Sequence, residues 1–192
     1  MSDKMYADEA ILRKREGLDR EPIVESGDSA YLAGELANFE RHEIMAGYSV
    51  LLPTSFGELS EEHAMIKYPS SHRPDIIFTT LDEAVNLGFT VFPGDGQNID
   101  ILQTSQQVKE SLEEAKDSGI VLVGASTMLE EVRGCWFDFR TNAIDGAIYN
   151  MLFIMAIDGI PLQSSFNCLL KNAGEWKPLV LEIWKSIERT TK

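Results

Sequence analysis

Three histidines, His42, His63 and His72, are the only imidazoles in the chain, so Ser-His-Asp or Cys-His chemistry has to use one of them. His42 and His63 sit among Glu and Arg ("ERHEI", "SEEHA"), the pattern of a solvated sheet face. His72 lies in "SSHRP" beside Ser70, Ser71 and Arg73, a loop context that leaves it the most exposed of the three. No Gly-x-Ser-x-Gly elbow presents a serine nucleophile. The pairs Glu61-Glu62, Glu113-Glu114 and Glu130-Glu131 do not form acid/base couples, because adjacent side chains diverge on either a helix or a strand.

A second cluster, "PGDGQNID", places Asp95, Asn98 and Asp100 within six residues. Its spacing does not match a calcium loop, which needs oxygen ligands at alternating positions and a Glu at the twelfth. An Asp-, Asn- and Gly-rich turn is the ordinary reading. Gly94 and Gly96 lack the third glycine of a dinucleotide fingerprint, and "IVLVGAST" has no P-loop lysine. Cys135 and Cys168 lack metal-site spacing and sit in apolar, strand-like contexts, where cysteine behaves as a small hydrophobe; a disulfide between them requires their strands to be neighbours. The sequence calls for no cofactor and no metal.

The chain's 192 residues carry a net charge of −14 with a pI near 4.6, and 44% of them are hydrophobic. Such a field repels phosphate backbones and anionic membranes, so nucleic acid and membrane are not expected partners. A basic protein is. The opening "MSDKMYADEAILRKREG" has no apolar stretch of the secretory type, which points to the cytoplasm.

The elements that must position these residues follow from periodicity. The densest apolar stretch, "GAIYNMLFIMAIDGIPLQSSFNCLL", is too short before Asp158-Gly159 and Pro161 to be a spanning helix. Asp-Gly is a two-residue turn signal, and Leu162, Ser164, Phe166 and Cys168 alternate with Gln163, Ser165 and Asn167, so the stretch is a β-hairpin. A first hairpin joins "FERHEIM" to "YSVLLP" through Ala46-Gly47. "HAMIKYP", "DIIFTT", "LGFTVFPG", "IVLVGAS" and "CWFDFRT" read as further strands. In the last, Trp136 and Asp138 share one face, and Phe137 and Phe139 share the other.

Thr104 with Gln107 forms a capping-box pattern for a helix carrying Val108, Leu112 and Ala115 on one face. A C-terminal helix presents Val180, Ile183, Trp184 and Ile187 together, with Pro178 in its first turn. Residues 1–37 read as an N-terminal arm, partly helical or mobile. A charged helix is expected over Asp8 to Glu16, and another over Ala30 to Leu36 capped by Asp28-Ser29; residues 38–192 form the domain.

The order "YSVLLPTSF", "MIKYP", an Ile-rich strand, an amphipathic helix, "WFDF", "YNMLFIMAIDGIPLQSSFNC" and "EWKPLVLEIWKSI" resembles the Mog/PsbP-like family, in its bacterial branch, over Phe39 to Arg189. The resemblance implies an α+β fold: an α/β/α sandwich, with an antiparallel sheet flanked by helices. It also implies docking to other proteins without a shared catalytic centre, so no catalytic residue carries over. The reading is a non-catalytic interaction module (adaptor, chaperone-like or immunity-type). Its partner surface is expected at His72, Arg73, Phe92, Asp95 and Asp100, on loops that Pro and Gly lift from their strands. The alternative is a hydrolase or small-molecule-binding protein using His72 and the Asp95–Asp100 turn.

Overall fold

The computed structural model describes residues 29–32, 35–70, 72–93, 99–114, 119–143 and 146–190. The hairpin at Asp158-Gly159 is the centre of the molecule. Its arms are β10 (Gly146–Ile157) and β11 (Ile160–Leu169). They pair antiparallel from Ile157↔Ile160 to Ile148↔Leu169, with φ of +49° at Asp158 and +78° at Gly159. Both turn residues adopting positive φ is what a type I′ connection demands, and Asp-Gly accepts it at low cost.

Around this hairpin lies an eight-stranded antiparallel sheet, built from β4 (Phe56–Glu58), β5 (Ile76–Thr80), β6 (Asn86–Val91), β7 (Val121–Leu122), β8 (Thr127–Leu129) and β9 (Gly134–Ala143) besides the hairpin. The strand order is β4-β5-β6-β11-β10-β9-β7, with β8 also on β9. A second sheet joins β1 (Ser29–Leu32), β2 (Glu35–Met45), β3 (Tyr48–Pro53) and β12 (Glu188–Arg189). Three helices complete the described fold: α1 (Glu61–Lys67), α2 (Ile101–Glu114) and α3 (Ala173–Lys185).

Pairing across the main sheet sorts its two faces. The rows Phe78–Leu87–Phe166–Met151–Asp138 and Phe89–Ser164–Phe153–Trp136 point to α3 and the second sheet. Phe137, Leu152 and Ile154 point to α2, whose Ile101, Val108 and Leu112 pack on them. Helices therefore cover both faces of an antiparallel sheet: the α/β/α, α+β architecture expected from the sequence. The second sheet adds to it, carrying Leu51 and Leu52 into the α3-side core.

Several local expectations are corrected. "HAMIKYP" is a helix over most of its length, because Ser60 accepts from the His63 N–H at 3.4 Å and Glu61-Glu62 occupy the first turn. The second helix starts at Ile101 rather than at Thr104. Its cap is Asp100, whose Oδ1 accepts from the Gln103 N–H at 2.9 Å, while the Thr104 hydroxyl donates to the Asp100 carbonyl at 2.8 Å. Pro178 lies inside α3, one turn deeper than expected. Ser29–Leu32 is a strand, not a capped helix, because Ala30 pairs with Ala37 on β2. "IVLVGAS" contributes only Val121–Leu122 to the sheet. The expected helix over Asp8 to Glu16 lies outside the described residues.

Candidate functional site

The described ends of the two segments expected to carry binding lie at one end of the sheet. The Asp75 N–H donates to the Phe89 carbonyl at 2.8 Å, and the Val91 N–H donates to Asp75 Oδ2 at 2.7 Å. This ties the end of the 70–75 loop to the exit of β6, one residue before Phe92. Phe92 is tied in turn to the hairpin, its N–H reaching the Pro161 carbonyl at 3.0 Å. Pro74 lies over β6 where Gly88 leaves room: a Cβ there would stand 2.5 Å from Pro74 Cγ.

Of the five expected residues, His72, Arg73, Phe92 and Asp100 lie on these two segments; Asp95 lies outside the described residues. His72 is exposed, its N–H donating to Ser70 Oγ at 3.1 Å. Arg73 is half-buried. The Phe92 ring is 44% exposed. Asp100 is exposed and already engaged as the α2 cap.

Between α2 and the hairpin at this same end is a cavity of about 380 Å³. Phe92 and Pro93 form one side, Ile101, Thr104 and Val108 of α2 another, and Ile154, Met155, Pro161, Leu162 and Gln163 the hairpin side. Among the described lining residues the hydroxyl of Thr104 and the amide of Gln163 are the side-chain polar groups, and the rest of that lining is apolar. None of the described lining residues is charged. Its described lining residues assemble no nucleophile, base and oxyanion donor about one point.

The other candidates fall elsewhere. His42, on β2, meets the Phe78 ring edge-on at 5.1 Å and places Nε2 3.2 Å from Glu40 Oε1. His63 is on α1, exposed, 3.7 Å from Glu83. Cys135 and Cys168 are buried, free thiols on β9 and β11, with β10 between them, which rules out a disulfide between them. Burial pushes the Cys168 thiol up to about 12. Among the described residues no three His, Cys, Asp or Glu side chains gather as metal ligands. No helix among them is long and apolar enough to cross a membrane.

A buried charged group lies on the other face of the sheet, toward α3. Asp138 is 1% exposed under α3, and its Oδ2 accepts from both Tyr149 Oη and Lys177 Nζ at 2.6 Å. Lys177 also stands 4.8 Å over the Trp136 ring. Burial, then the bond to Asp138, raises the Tyr149 hydroxyl above its ordinary range. Asp138 Oδ1 has no hydrogen-bond partner, and the space beside it is held by Gly124, where a Cβ would lie 2.7 Å away. The alternation of "CWFDF" puts a carboxylate on an otherwise apolar face, which was the available signal. Its partner Lys177 is 39 residues away, out of reach of any local pattern.

No family model matches the sequence, and no curated protein sequence is significantly similar to it. Solved structures are. The solution structure of cyanobacterial PsbP (CyanoP) from Synechocystis sp. PCC 6803 superposes with a TM-score of 0.58 at 12% identity, covering 83% of this chain and 97% of that one. The Ran-binding protein Mog1p of Saccharomyces cerevisiae gives 0.53 at 10% identity, over 80% and 96%. LpqN of Mycobacterium tuberculosis, involved in cell envelope biogenesis, gives 0.53 at 11%, over 99% and 100%. At such identities the likeness shows the fold alone.

Proposed function

We propose that this chain, whose fold is that of the Mog/PsbP-like proteins, serves as a non-catalytic protein-interaction module that docks a basic partner through the 70–75 and 92–100 segments. One observation carries the reading: an exposed aromatic ring, Phe92, stands at an apolar cavity where two loops are bonded to a rigid sheet. Aromatic anchors beside desolvated pockets are where binding energy concentrates in protein interfaces. The acidity of the chain supports a basic partner, since opposite fields speed encounter and disfavour wrong partners. The Ran-binding role in the name of Mog1p, a property of that protein, supports this reading of the shared fold.

Arg73 supplies a fork of donors for a carboxylate or carbonyl on the partner, His72 a polar contact, and Asp95 a counter-charge. Asp100 contributes field and helix capping together. Affinity purification of the tagged chain tests the reading. It is expected to recover one protein that binds the wild type and binds the Arg73→Ala/Asp95→Ala double variant at least about tenfold less tightly. Full retention of binding by that double variant overturns the site. Turnover of an ester, peptide or nucleotide that His72→Ala abolishes overturns the module and favours the hydrolase reading.

A further inference from the structure

At the β4–β5 end of the main sheet, large apolar side chains stand in water. Helix α1 buries Ala64 against Leu59 and Ile77 and turns its other side to solvent, where Met65 is 50% and Ile66 75% exposed. The turn from β5 to β6 carries Leu81, 98% exposed. The two elements are bonded to each other: Lys67 Nζ donates to the Glu83 carbonyl at 2.6 Å and stands 3.4 Å from Glu83 Oε2. The turn is also held from within. Asp82 Oδ1 accepts from Thr80 Oγ1 at 2.6 Å and from the Ala84 N–H at 3.1 Å, and the Val85 N–H donates to Thr80 Oγ1 at 3.2 Å. Leu81 is thus presented on a backbone already fixed, so covering it costs little further ordering.

The chemistry around these side chains narrows what can cover them. Glu58, Glu61 and Glu62 accompany the α1 pair, and Asp82 and Glu83 follow Leu81, against the one ammonium of Lys67. The outward side of a helix and the tip of a turn are convex and enclose no small molecule. Leu81 also rims an open cavity of about 430 Å³ with Trp176, Asp82 and Glu175, yet a side chain 98% exposed is covered only by a surface applied from outside. The carboxylates oppose nucleic acid and anionic membranes. A second copy would set the same carboxylates against each other. We propose that Met65, Ile66 and Leu81 form an apolar ridge that inserts into a concave groove of another protein, a groove rimmed by Lys or Arg. The mode is that of a helix laid in an apolar groove, with the carboxylates selecting the basic rim. This surface is additional to the 70–75 and 92–100 segments, and neither requires the other.

Photo-crosslinking in the cells that produce the chain tests it. The photoreactive residue p-benzoylphenylalanine, replacing Ile66 or Leu81, is expected to capture one and the same protein, identified by mass spectrometry. The same label at Val121, also exposed but on β7 at the opposite edge of the sheet, is expected to miss it. The captured protein is then purified and titrated against the full chain by calorimetry. Ile66→Ser and Leu81→Ser are each expected to weaken binding at least about tenfold. Glu61→Gln/Glu62→Gln is expected to weaken it as well and to flatten its dependence on salt. Urea denaturation of Leu81→Ser is expected to match the wild type, which separates its loss of binding from any loss of folding.

Capture no better than at Val121 overturns the inference and leaves three ordinary solvated side chains. Capture of the chain by itself overturns it in favour of a second copy. Cosedimentation with phosphatidylcholine vesicles that Ile66→Ser abolishes overturns it in favour of a neutral membrane surface. A captured protein that binds both Ser variants as tightly as the wild type overturns the ridge, and one indifferent to salt and to Glu61→Gln/Glu62→Gln overturns the basic groove. The loop reading fails separately. A partner lost with Arg73→Ala but kept by Ile66→Ser sinks the ridge and keeps the loops; the reverse sinks the loops and keeps the ridge.

Discussion

The two faces of the main sheet are covered to different standards. On the α3 side, Trp184 is fully buried and stacks on Phe153 at a centroid separation of 4.8 Å, with its Nε1–H donating to Ser164 Oγ at 2.9 Å. Phe153 can lie there because Gly134 presents no Cβ, which would stand 2.1 Å from its ring. The buried charge on this face is paired through one oxygen, Asp138 Oδ2 accepting from Lys177 and Tyr149. On the opposite side α2 covers β9 and β10, then leaves a cavity where β11 and Phe92 begin. Filled interiors stabilise, and apolar concavities are the places where proteins most often take ligands. The contrast separates a face packed to completion from one that keeps an apolar space.

The sharpest way to break this comparison is on the filled face. Trp184→Ala is expected to cost about 3–5 kcal/mol, since it opens a large void and strands the Ser164 hydroxyl. Urea denaturation measures it, and a loss near zero would mean the α3 face is no better packed than the other. A smaller effect is expected from Lys177→Met. The Asp138 carboxylate would keep only Tyr149, at a cost of about 2–3 kcal/mol, held down by the 38% exposure of the lysine side chain, which lets water take its place. Adding Asp138→Asn should recover at least half of that loss, and no recovery would show that Lys177 acts through packing on Trp136 rather than through charge.

The smallest effect is expected at the rim of the cavity. Phe92→Ser is expected to cost no more than about 1 kcal/mol of stability, because the residue is already 44% exposed, while weakening the proposed partner binding. A large stability loss would make Phe92 a core residue and erase the distinction between the faces.

Some of this was legible in the residues alone. The Asp158-Gly159 hairpin, the alternation along β11, the first hairpin at Ala46-Gly47 and the apolar stripe of α3 are local patterns, decided by periods of 2 and 3.6 and by turn chemistry. The loop character of the 70–75 segment and the exposure of Phe92 and His72 followed from Pro and Gly punctuation in the same way.

Other features needed the folded chain. The seven residues of α1 are too few for periodicity to separate helix from strand, and the choice fell to the Ser60 cap and to Ala64 packing on Leu59 and Ile77. The start of α2 shifted because Asp100 outcompeted Thr104 for the cap. Ser29–Leu32 became a strand because β2 offered it a ladder. Composition and spacing determine which residues prefer strand, turn or core, because those preferences are settled among near neighbours. That Lys177 meets Asp138, and that α2 stops short of covering β11, depend on where distant elements dock. Only the tertiary structure decides that.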